Sequence, residues 1–210
     1  MFVFVFALVD FCFVMLANRR ASRARYNLRE MFEYHVDDEI KLRLLEPRHA
    51  DALFALVDSN RQHLRQWLPW LDDNIAVSDT SRFIKATQKQ FADDSGFVSG
   101  IWYCDELVGV IGHNRIDWEN RISWPGYWLA GKFQGKGIMT KSCRALIHHA
   151  FTELQLNRID IRCAVENSKS RAIPERLGFQ QEGVIRQAEW LYDKFVDHIV
   201  YGMLKSDWQS

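Results

Sequence analysis

The stretch of this chain best suited to chemistry is a glycine-bearing turn between a predicted strand and a predicted helix. Residues 126–140 read Gly-Tyr-Trp-Leu-Ala-Gly-Lys-Phe-Gln-Gly-Lys-Gly-Ile-Met-Thr. The first amides of a helix have no partner within the helix, and the helix dipole places partial positive charge there. Glycines in such a turn let a phosphate come close enough to accept several N–H bonds. The turn therefore predicts an anion-binding site.

Two common phosphate-binding motifs do not fit its spacing. A Walker loop places four residues between its first Gly and a Gly-Lys-Ser/Thr, whereas three residues separate Gly131 from Gly135, and Lys136 is followed by Gly137. A dinucleotide fingerprint needs a small residue where Thr140 stands, and an acidic residue near the end of the next strand, which does not follow in the expected way. These spacings argue against both classes of nucleotide site.

The pattern that does fit is Gln-x-x-Gly, formed by residues 134–137. It resembles the pyrophosphate loop of the GCN5-related N-acetyltransferases (GNAT), whose amides hold the diphosphate of acetyl-CoA. That family usually has Gly or Ala where this chain has Met139, a small departure because the backbone makes the bonds. The resemblance implies that acetyl-CoA is bound by residues on both sides of the turn and within it: Leu129, Gln134, Gly135, Lys136, Gly137, Ile138, Met139, Thr140 and Asn167.

The sequence after the turn strengthens this resemblance. An amphipathic helix is predicted over 138–154 and an alternating strand over 158–165, followed by Asn-x-x-Ser at 167–170 and Leu-Gly-Phe at 177–179. This order is similar to the acetyltransferase core. The first strand also fits, as does the tail, which contains Glu182-Gly183 and Asp197-His198. Over about residues 31–208 the chain therefore resembles the ribosomal-protein N-terminal acetyltransferase branch.

The resemblance also implies a fold. It is an α+β, three-layer fold with a mixed central sheet, in which the strand before the anion loop and the strand after the central helix run parallel and splay apart. In this chain those strands are 122–130 and 159–165. The pantetheine arm of the cofactor lies in the gap and pairs with the backbone, so the groove demands little side-chain identity.

Acetyl transfer from a thioester to an amine needs a neutral nucleophile and a proton for the departing thiolate. By resemblance, Glu182 is the candidate base, directly or through water, and Ser170 the candidate proton donor. Many family members instead carry a tyrosine four residues before the Gly of Leu-Gly-Phe, but this chain has Pro174 there. A surface position for Glu182 and a helix-capping role for Ser170 remain the alternatives.

Composition limits the class of protein. A chain of 210 residues suits one domain with a substantial core. The net charge of zero and pI near 7.1 argue against a nucleic-acid binder, which normally shows an excess of Lys and Arg. Residues 1–30 carry five Arg against Asp10 and Glu30, so the body, residues 31–210, carries a small negative charge. Composition therefore favours a single domain, and the resemblance implies that residues 31–210 form an acetyltransferase domain.

The cysteines and histidines do not predict a metal site. Cys143 and Cys163 fall on apolar faces, as expected for buried thiols in a reducing compartment, so we expect a cytoplasmic protein without metal. His148 and His149 are adjacent on a helix and point about 100° apart, which prevents them from sharing one ion.

The first thirty residues do not belong to the predicted domain. Residues 1–17 are almost wholly apolar except for Asp10, and a basic run follows. Three interpretations remain open: an extension upstream of a true start at Met31, a membrane anchor with a cytoplasmic body, or a processed leader. A membrane is expected as a partner only if residues 1–17 form an anchor.

The remaining elements follow from periodicity and turn residues. We predict a strand at 40–45, a helix from Pro47 to about residue 57, helical segments before 67–70 and over 80–92, and a three-stranded meander at 97–104, 107–118 and 122–130. Strands at 183–190 and 195–204 close the sheet.

Together these features predict an acetyl-CoA-dependent N-acetyltransferase in which an amine attacks directly, without an acyl-enzyme. The expected acceptor is the N-terminal α-amine of a protein such as a ribosomal subunit, and the resembling branch often forms homodimers. One alternative is an enzyme that acetylates a small amine such as a polyamine or an antibiotic. The other is a CoA-binding regulatory module without turnover.

Overall fold

The computed structural model describes residues 33–209, and residues 34–209 belong to one compact unit. The expectations about residues 1–30 lie outside the described residues. Across residues 33–209, no helix combines the length and apolar character needed to cross a bilayer.

Within the described residues, eight strands form one mixed sheet in the order β1-β2-β3-β4-β5-β6-β8-β7. All neighbouring pairs with a described register are antiparallel except β5 and β6, which are parallel. This confirms the α+β class and the mixed sheet. The strands are β1 Glu33–His35, β2 Ile40–Leu44, β3 Phe97–Tyr103, β4 Glu106–Asp117, β5 Ile122–Leu129, β6 Arg158–Ala164, β7 Gln180–Leu191 and β8 Lys194–Leu204.

The helices connect these strands, and short 3-10 turns lie in several of the connections. The helices are α1 Ala50–Ser59, α2 Arg61–Leu64, α3 Val77–Ala92, α4 Ile138–Thr152 and α5 Ser168–Arg176. The 3-10 turns are Pro47–His49, Pro69–Asp73 and Gly131–Phe133. The helix predicted from Pro47 therefore starts as a 3-10 turn, and β1 is a strand that the sequence analysis did not predict.

Helix α4 forms because its apolar side chains recur at helical spacing and bury one face in the core. Met139, Cys143, Leu146, Ile147 and Ala150 all lie on that face and are buried. The helix ends two residues before the predicted position because Gln155 adopts a left-handed backbone, φ 54°, just past its end. The amide of Leu156 then returns to the carbonyl of Ala150 at 3.0 Å. This helix holds the glycine turn against the sheet.

A buried histidine on β4 lies in this core. His113 is 0% exposed, its Nδ1 lies 2.8 Å from Ser123 Oγ on β5, and its ring meets Phe97 edge to face at 5.0 Å. Burial is the main cause that lowers the pKa of His113 from 6.5 to about 3, and His149 adds repulsion. The imidazole is therefore neutral in the folded protein at physiological pH.

This neutrality predicts acid instability. As pH falls below 6.5, the unfolded chain binds a proton that folded His113 binds only near pH 3. The free energy of unfolding should therefore fall by about 1.4 kcal/mol per pH unit from this group alone, and it should be fully recovered above pH 6.5. Urea unfolding of wild type and His113→Asn from pH 7.5 to 4 measures this, because only wild type should show the extra slope. His35→Asn, at an exposed position, is the control, and parallel pH profiles for wild type and His113→Asn would contradict the assignment.

Candidate active site

The glycine turn places two left-handed residues before α4. Gly135 has φ 78° and Gly137, the N-cap of the helix, has φ 76°. A Cβ added to either would meet nothing within 4 Å, so space does not require glycine there. The positive φ does, since side chains with a Cβ rarely adopt it. The sequence thus specifies the backbone shape of this loop.

The amides of this loop are available to a ligand. In the described part of the chain, the backbone hydrogen bonds include none donated by residues 135–140, and the first intrahelical bond runs from Lys141 N–H to Gly137 O at 3.0 Å. The side chains of Ile138 and Met139 are buried, as is that of Leu129 before the turn. These residues can therefore offer a ligand their main chain, as the anion-site prediction requires.

The parallel strands β5 and β6 separate soon after they start. They pair only at Ile122 with Arg158 and at Ser123 with Ile159. Beyond that point β5 continues to pair with β4 up to Leu129, and β6 continues to pair with β8. The facing edges, residues 124–129 and 160–164, lack a strand partner across the gap. This confirms the predicted splay, which opens a groove whose walls carry backbone donors and acceptors.

Ser170 lies across this groove and touches both strands. Its Oγ is 3.2 Å from Cys163 Sγ on β6 and 3.4 Å from the hydroxyl of Tyr127 on β5. Tyr127 donates to the carbonyl of Ser170 at 3.1 Å, and the Ser170 amide donates to Asn167 Oδ1 at 3.1 Å. The structure therefore brings together Asn167 and Ser170, which the sequence singled out, with Tyr127, which it did not.

Tyr127 and the neighbouring thiols stay protonated. Burial raises the pKa of the Tyr127 hydroxyl well above 10, and nearby Cys143 and Cys163 raise it further. Burial likewise raises the pKa of the Cys143 and Cys163 thiols. Because the thiolate is the reactive form of cysteine, neither thiol is poised as a nucleophile. This agrees with a direct transfer that needs no acyl-enzyme.

The charged residues of the loop have their own contacts. Lys136 lies over the rings of Tyr103 and Phe133, at 5.5 and 5.4 Å. Lys141 pairs with Asp37 at 2.7 Å, and this carboxylate raises the pKa of Lys141. The side chain of Thr140 accepts a weak 3.5 Å bond from Arg176. Lys136 is thus the loop lysine with freedom to meet a phosphate.

Glu182, the predicted base, lies elsewhere. It accepts two hydrogen bonds from the guanidinium of Arg158, one from Nη1 at 2.9 Å and one from Nη2. This contact lowers the pKa of Glu182. Arg158 starts β6, whereas Cys163, next to Ser170, lies near its end, five residues or about 17 Å along the strand. The structure does not bring Glu182 and Ser170 together.

A different glutamate lies near the open end of the groove. Glu189 Oε2 on β7 is 3.2 Å from His198 Nε2 on β8, and both side chains are half-buried. Glu189 is paired across the sheet with Val196, and His198 with Ala164 at the end of β6. The sequence analysis did not single out Glu189.

Val196 and Ala164 both line a cavity of about 960 Å³. The cavity lies among the end of β6, the β7–β8 hairpin and the segment between α2 and α3. Tyr192, at the hairpin tip, donates to the carbonyl of Leu68 at 2.6 Å, and Arg65 stacks on its ring at 3.8 Å. The lining consists of Arg65, Gln66, Trp67, Asp72, Ala164, Val165, Glu166, Leu191, Tyr192, Asp193, Lys194, Phe195, Val196 and Asp197.

No cluster of three or more His, Cys, Asp or Glu side chains with metal-binding geometry occurs within residues 33–209. The arrangement instead combines a loop of free amides, a groove between splayed strands and a cavity at the groove's open end. The backbone of the loop and of the strand edges can bind an extended, phosphorylated ligand. The end of that ligand away from the phosphate would then be exposed to a second molecule.

Comparisons with known proteins agree with this geometry. The sequence model of the acetyltransferase (GNAT) domain matches residues 39–180. YdaF of Bacillus subtilis (strain 168), named as a candidate ribosomal N-acetyltransferase, is 42% identical over 182 residues, covering 86% of this chain and 99% of that protein.

Two solved structures share the fold. RimL, a ribosomal L7/L12 α-N-protein acetyltransferase in complex with coenzyme A, has a TM-score of 0.80 at 30% identity and covers 82% of this chain and 97% of its own. MccE, a microcin C7 self-immunity acetyltransferase in complex with acetyl-CoA and AMP, has a TM-score of 0.78 at 32% identity, covering 80% and 94%. The chain therefore belongs to the GNAT family of N-acetyltransferases.

Proposed function

We propose that this protein transfers the acetyl group of acetyl-CoA to the N-terminal α-amine of a ribosomal protein. The observation that carries the proposal is the splayed groove between β5 and β6, since β5 runs directly into the loop whose amides at residues 135–140 are free. RimL and YdaF, both named for ribosomal acetylation, support the choice of acceptor.

The loop and groove fit acetyl-CoA. The amides at the α4 N-terminus supply several donors and partial positive charge for the diphosphate. The unpaired strand edges match the amide groups of a pantetheine arm, and acetyl-CoA supplies the thioester that the amine attacks. Because these contacts come from the main chain, the buried side chains of Leu129, Ile138 and Met139 shape the walls without contacting the ligand's polar groups.

We assign Ser170 and Tyr127 to the departing thiolate. Both hydroxyls lie between β5 and β6; Ser170 is the donor, and Tyr127, held neutral by burial, contacts both the Ser170 hydroxyl and the Ser170 carbonyl and so fixes the orientation of that donor. Asn167 fixes the position of Ser170, because its Oδ1 accepts a hydrogen bond from the Ser170 backbone N–H. In this arrangement the proton donor is placed by the cap of α5.

Glu189 is better placed than Glu182 to act as the general base. The guanidinium of Arg158 holds the Glu182 carboxylate and lowers its pKa, which weakens it as a base. The Glu189–His198 pair lies beside cavity residues instead. The task is modest for an α-amine, since about a tenth is already neutral near pH 7, against roughly one part in a thousand for lysine.

We also propose a homodimer and a cytoplasmic location. Strand β7 is an edge of the sheet, and Val184, Ile185 and Trp190 on it are exposed apolar side chains, a surface that a second copy would cover. Light scattering behind size exclusion would reveal a monomer if this idea fails.

Three cysteines without disulfides, Cys104, Cys143 and Cys163, and a ribosomal acceptor fit a reducing compartment, which cell fractionation would test.

A panel of acceptors tests the function. We expect the full-length protein to release CoA thiol with peptides that carry a free N-terminal Ser or Ala, and not with the same peptides after their N-terminus is blocked and an internal lysine is left. MccE, an immunity enzyme, favours a small-molecule amine as the second candidate. Faster turnover of polyamines or aminoglycosides than of any peptide would establish that candidate, and absence of thiol release with every acceptor would leave only a CoA-binding module.

A further inference from the structure

The side chain of Gln134, at the start of the glycine turn, is held by residues from two distant elements. Its Oε1 accepts a 2.9 Å bond from Lys169 Nζ on α5. Its Nε2 lies 2.9 Å from Nε2 of His63 on α2. These contacts join segments that are 35 and 71 residues away in the sequence.

The donor and acceptor roles in this network follow from chemistry. A lysine ammonium only donates, so the Gln134 oxygen must face Lys169 and its NH₂ group must face His63. An amide NH₂ also only donates, so His63 Nε2 must accept. The imidazole is therefore neutral and carries its proton on Nδ1.

Protonation of His63 would break this arrangement. A protonated imidazole donates from both nitrogens, so two donors would meet at the Gln134–His63 contact. A flip of the Gln134 amide would restore that bond but turn the NH₂ group toward the Lys169 ammonium. Either way at least one contact is lost.

The same segment also holds the other side of the 3-10 turn. Asn60 Oδ1, oriented by its own Nδ2 bond to the Leu56 carbonyl, accepts the Gly131 amide at 2.9 Å. A Cβ on Gly131 would approach the His63 ring at 3.9 Å, so the two elements are in contact. Asn60 and His63 thus contact the two ends of the segment 131–134.

We infer that His63 is a positioning residue for the acetyl-CoA loop, and that it holds the loop only as a neutral imidazole. The inference rests on the proposed binding of acetyl-CoA at residues 135–140. It makes cofactor affinity depend on pH through a residue that touches no ligand atom.

The charged groups of each element that neighbours His63 have partners of their own. Lys169 of α5 reaches His63 through Gln134, and Lys132 of the 3-10 turn is paired with Glu106 at 2.7 Å. On α2 itself, Arg61 turns to Asp58 and to the carbonyls of Leu71 and Asn74. Histidine is the side chain that ordinarily changes charge between about pH 5 and 8.

Calorimetric titration of CoA into three full-length proteins tests the inference. At about pH 8, His63→Leu should bind CoA about five-fold more weakly than wild type, the effect of losing one hydrogen bond. His63→Gln, which keeps an acceptor near the Nε2 position but cannot be protonated, should match wild type within about two-fold. On lowering the pH to about 5.5, wild type should weaken to the level of the Leu variant, whereas the Gln variant should not.

The ratio of the two dissociation constants, wild type over His63→Gln, is the deciding quantity because the 3′-phosphate of CoA also titrates near pH 6. The His35→Gln variant, at an exposed site on β1, is the control and should follow wild type. A ratio that stays constant with pH, or unchanged affinity in His63→Leu at pH 8, would overturn the inference. Absence of CoA binding by wild type at every pH would instead overturn the proposed function.

Discussion

Replacing Gly137 by valine should weaken acetyl-CoA binding about a hundred-fold. Gly137 has φ 76°, which a β-branched residue adopts only under strain. When the backbone relaxes to negative φ, the amides around it turn away from the position of the diphosphate. The loss of two bonds to a charged group, each worth about 1.5 kcal/mol, accounts for the expected change in dissociation constant, which calorimetry measures.

Gly183→Val is the matched control for this prediction. A Cβ at Gly183 also meets nothing within 4 Å, but this glycine lies in strand β7 and has no left-handed φ. The control should bind acetyl-CoA within about two-fold of wild type. Gly137→Asn should fall between them, because asparagine tolerates the left-handed region better than other residues. Wild-type affinity in Gly137→Val would mean that the amides of this loop do not hold the cofactor.

Glu189→Gln should lower kcat about a hundred-fold with little change in the KM for acetyl-CoA. Loss of a general base typically costs 10²–10⁴-fold in rate, and the substitution keeps the size and hydrogen-bonding reach of the side chain. The rate of the variant should also rise more steeply with pH, because it depends on acceptor amine that is already neutral. Steady-state kinetics with an N-terminal peptide from about pH 6 to 9 gives both quantities.

The Glu182→Gln variant tests which of the two glutamates acts as the base. Its carboxylate is engaged with Arg158, so its loss should cost about 1 kcal/mol of stability or less and leave kcat within about three-fold. If Glu182→Gln loses activity while Glu189→Gln keeps it, the base is Glu182 and the assignment made from the geometry is wrong. Equal thermal stability of Glu189→Gln and wild type would exclude misfolding as the cause of its lower rate.

The placement of these two glutamates shows where sequence reasoning stops. Both lie on β7, seven residues apart, and nothing local to them says which lies beside the cavity residues. Strand β7 has two irregularities in its register with β8, one between Gln181 and Gly183 and one between Ile185 and Glu189. Each bulge changes which side chains share a face, so alternation along the strand fails as a guide.

Tyr127 was missed for a related reason. It stands in an ordinary strand pattern, and its contact with Ser170 joins residues 43 positions apart. Only the packing of α5 across the gap between β5 and β6 gives its hydroxyl a partner. The contact of His63 with Gln134 is likewise created by the packing of α2 against the loop.

The sequence by itself determined the glycine turn and the central helix, and its resemblance to the GNAT family implied the splayed parallel strands. Positive-φ glycines, a buried helical face and alternating strands are local properties, and a ligand held by main chain needs little more. Only the tertiary structure decided which side chains meet at the open end of the groove. Those side chains come from α2, β5, α5, β7 and β8, and their meeting depends on bulges and helix packing that no single segment encodes.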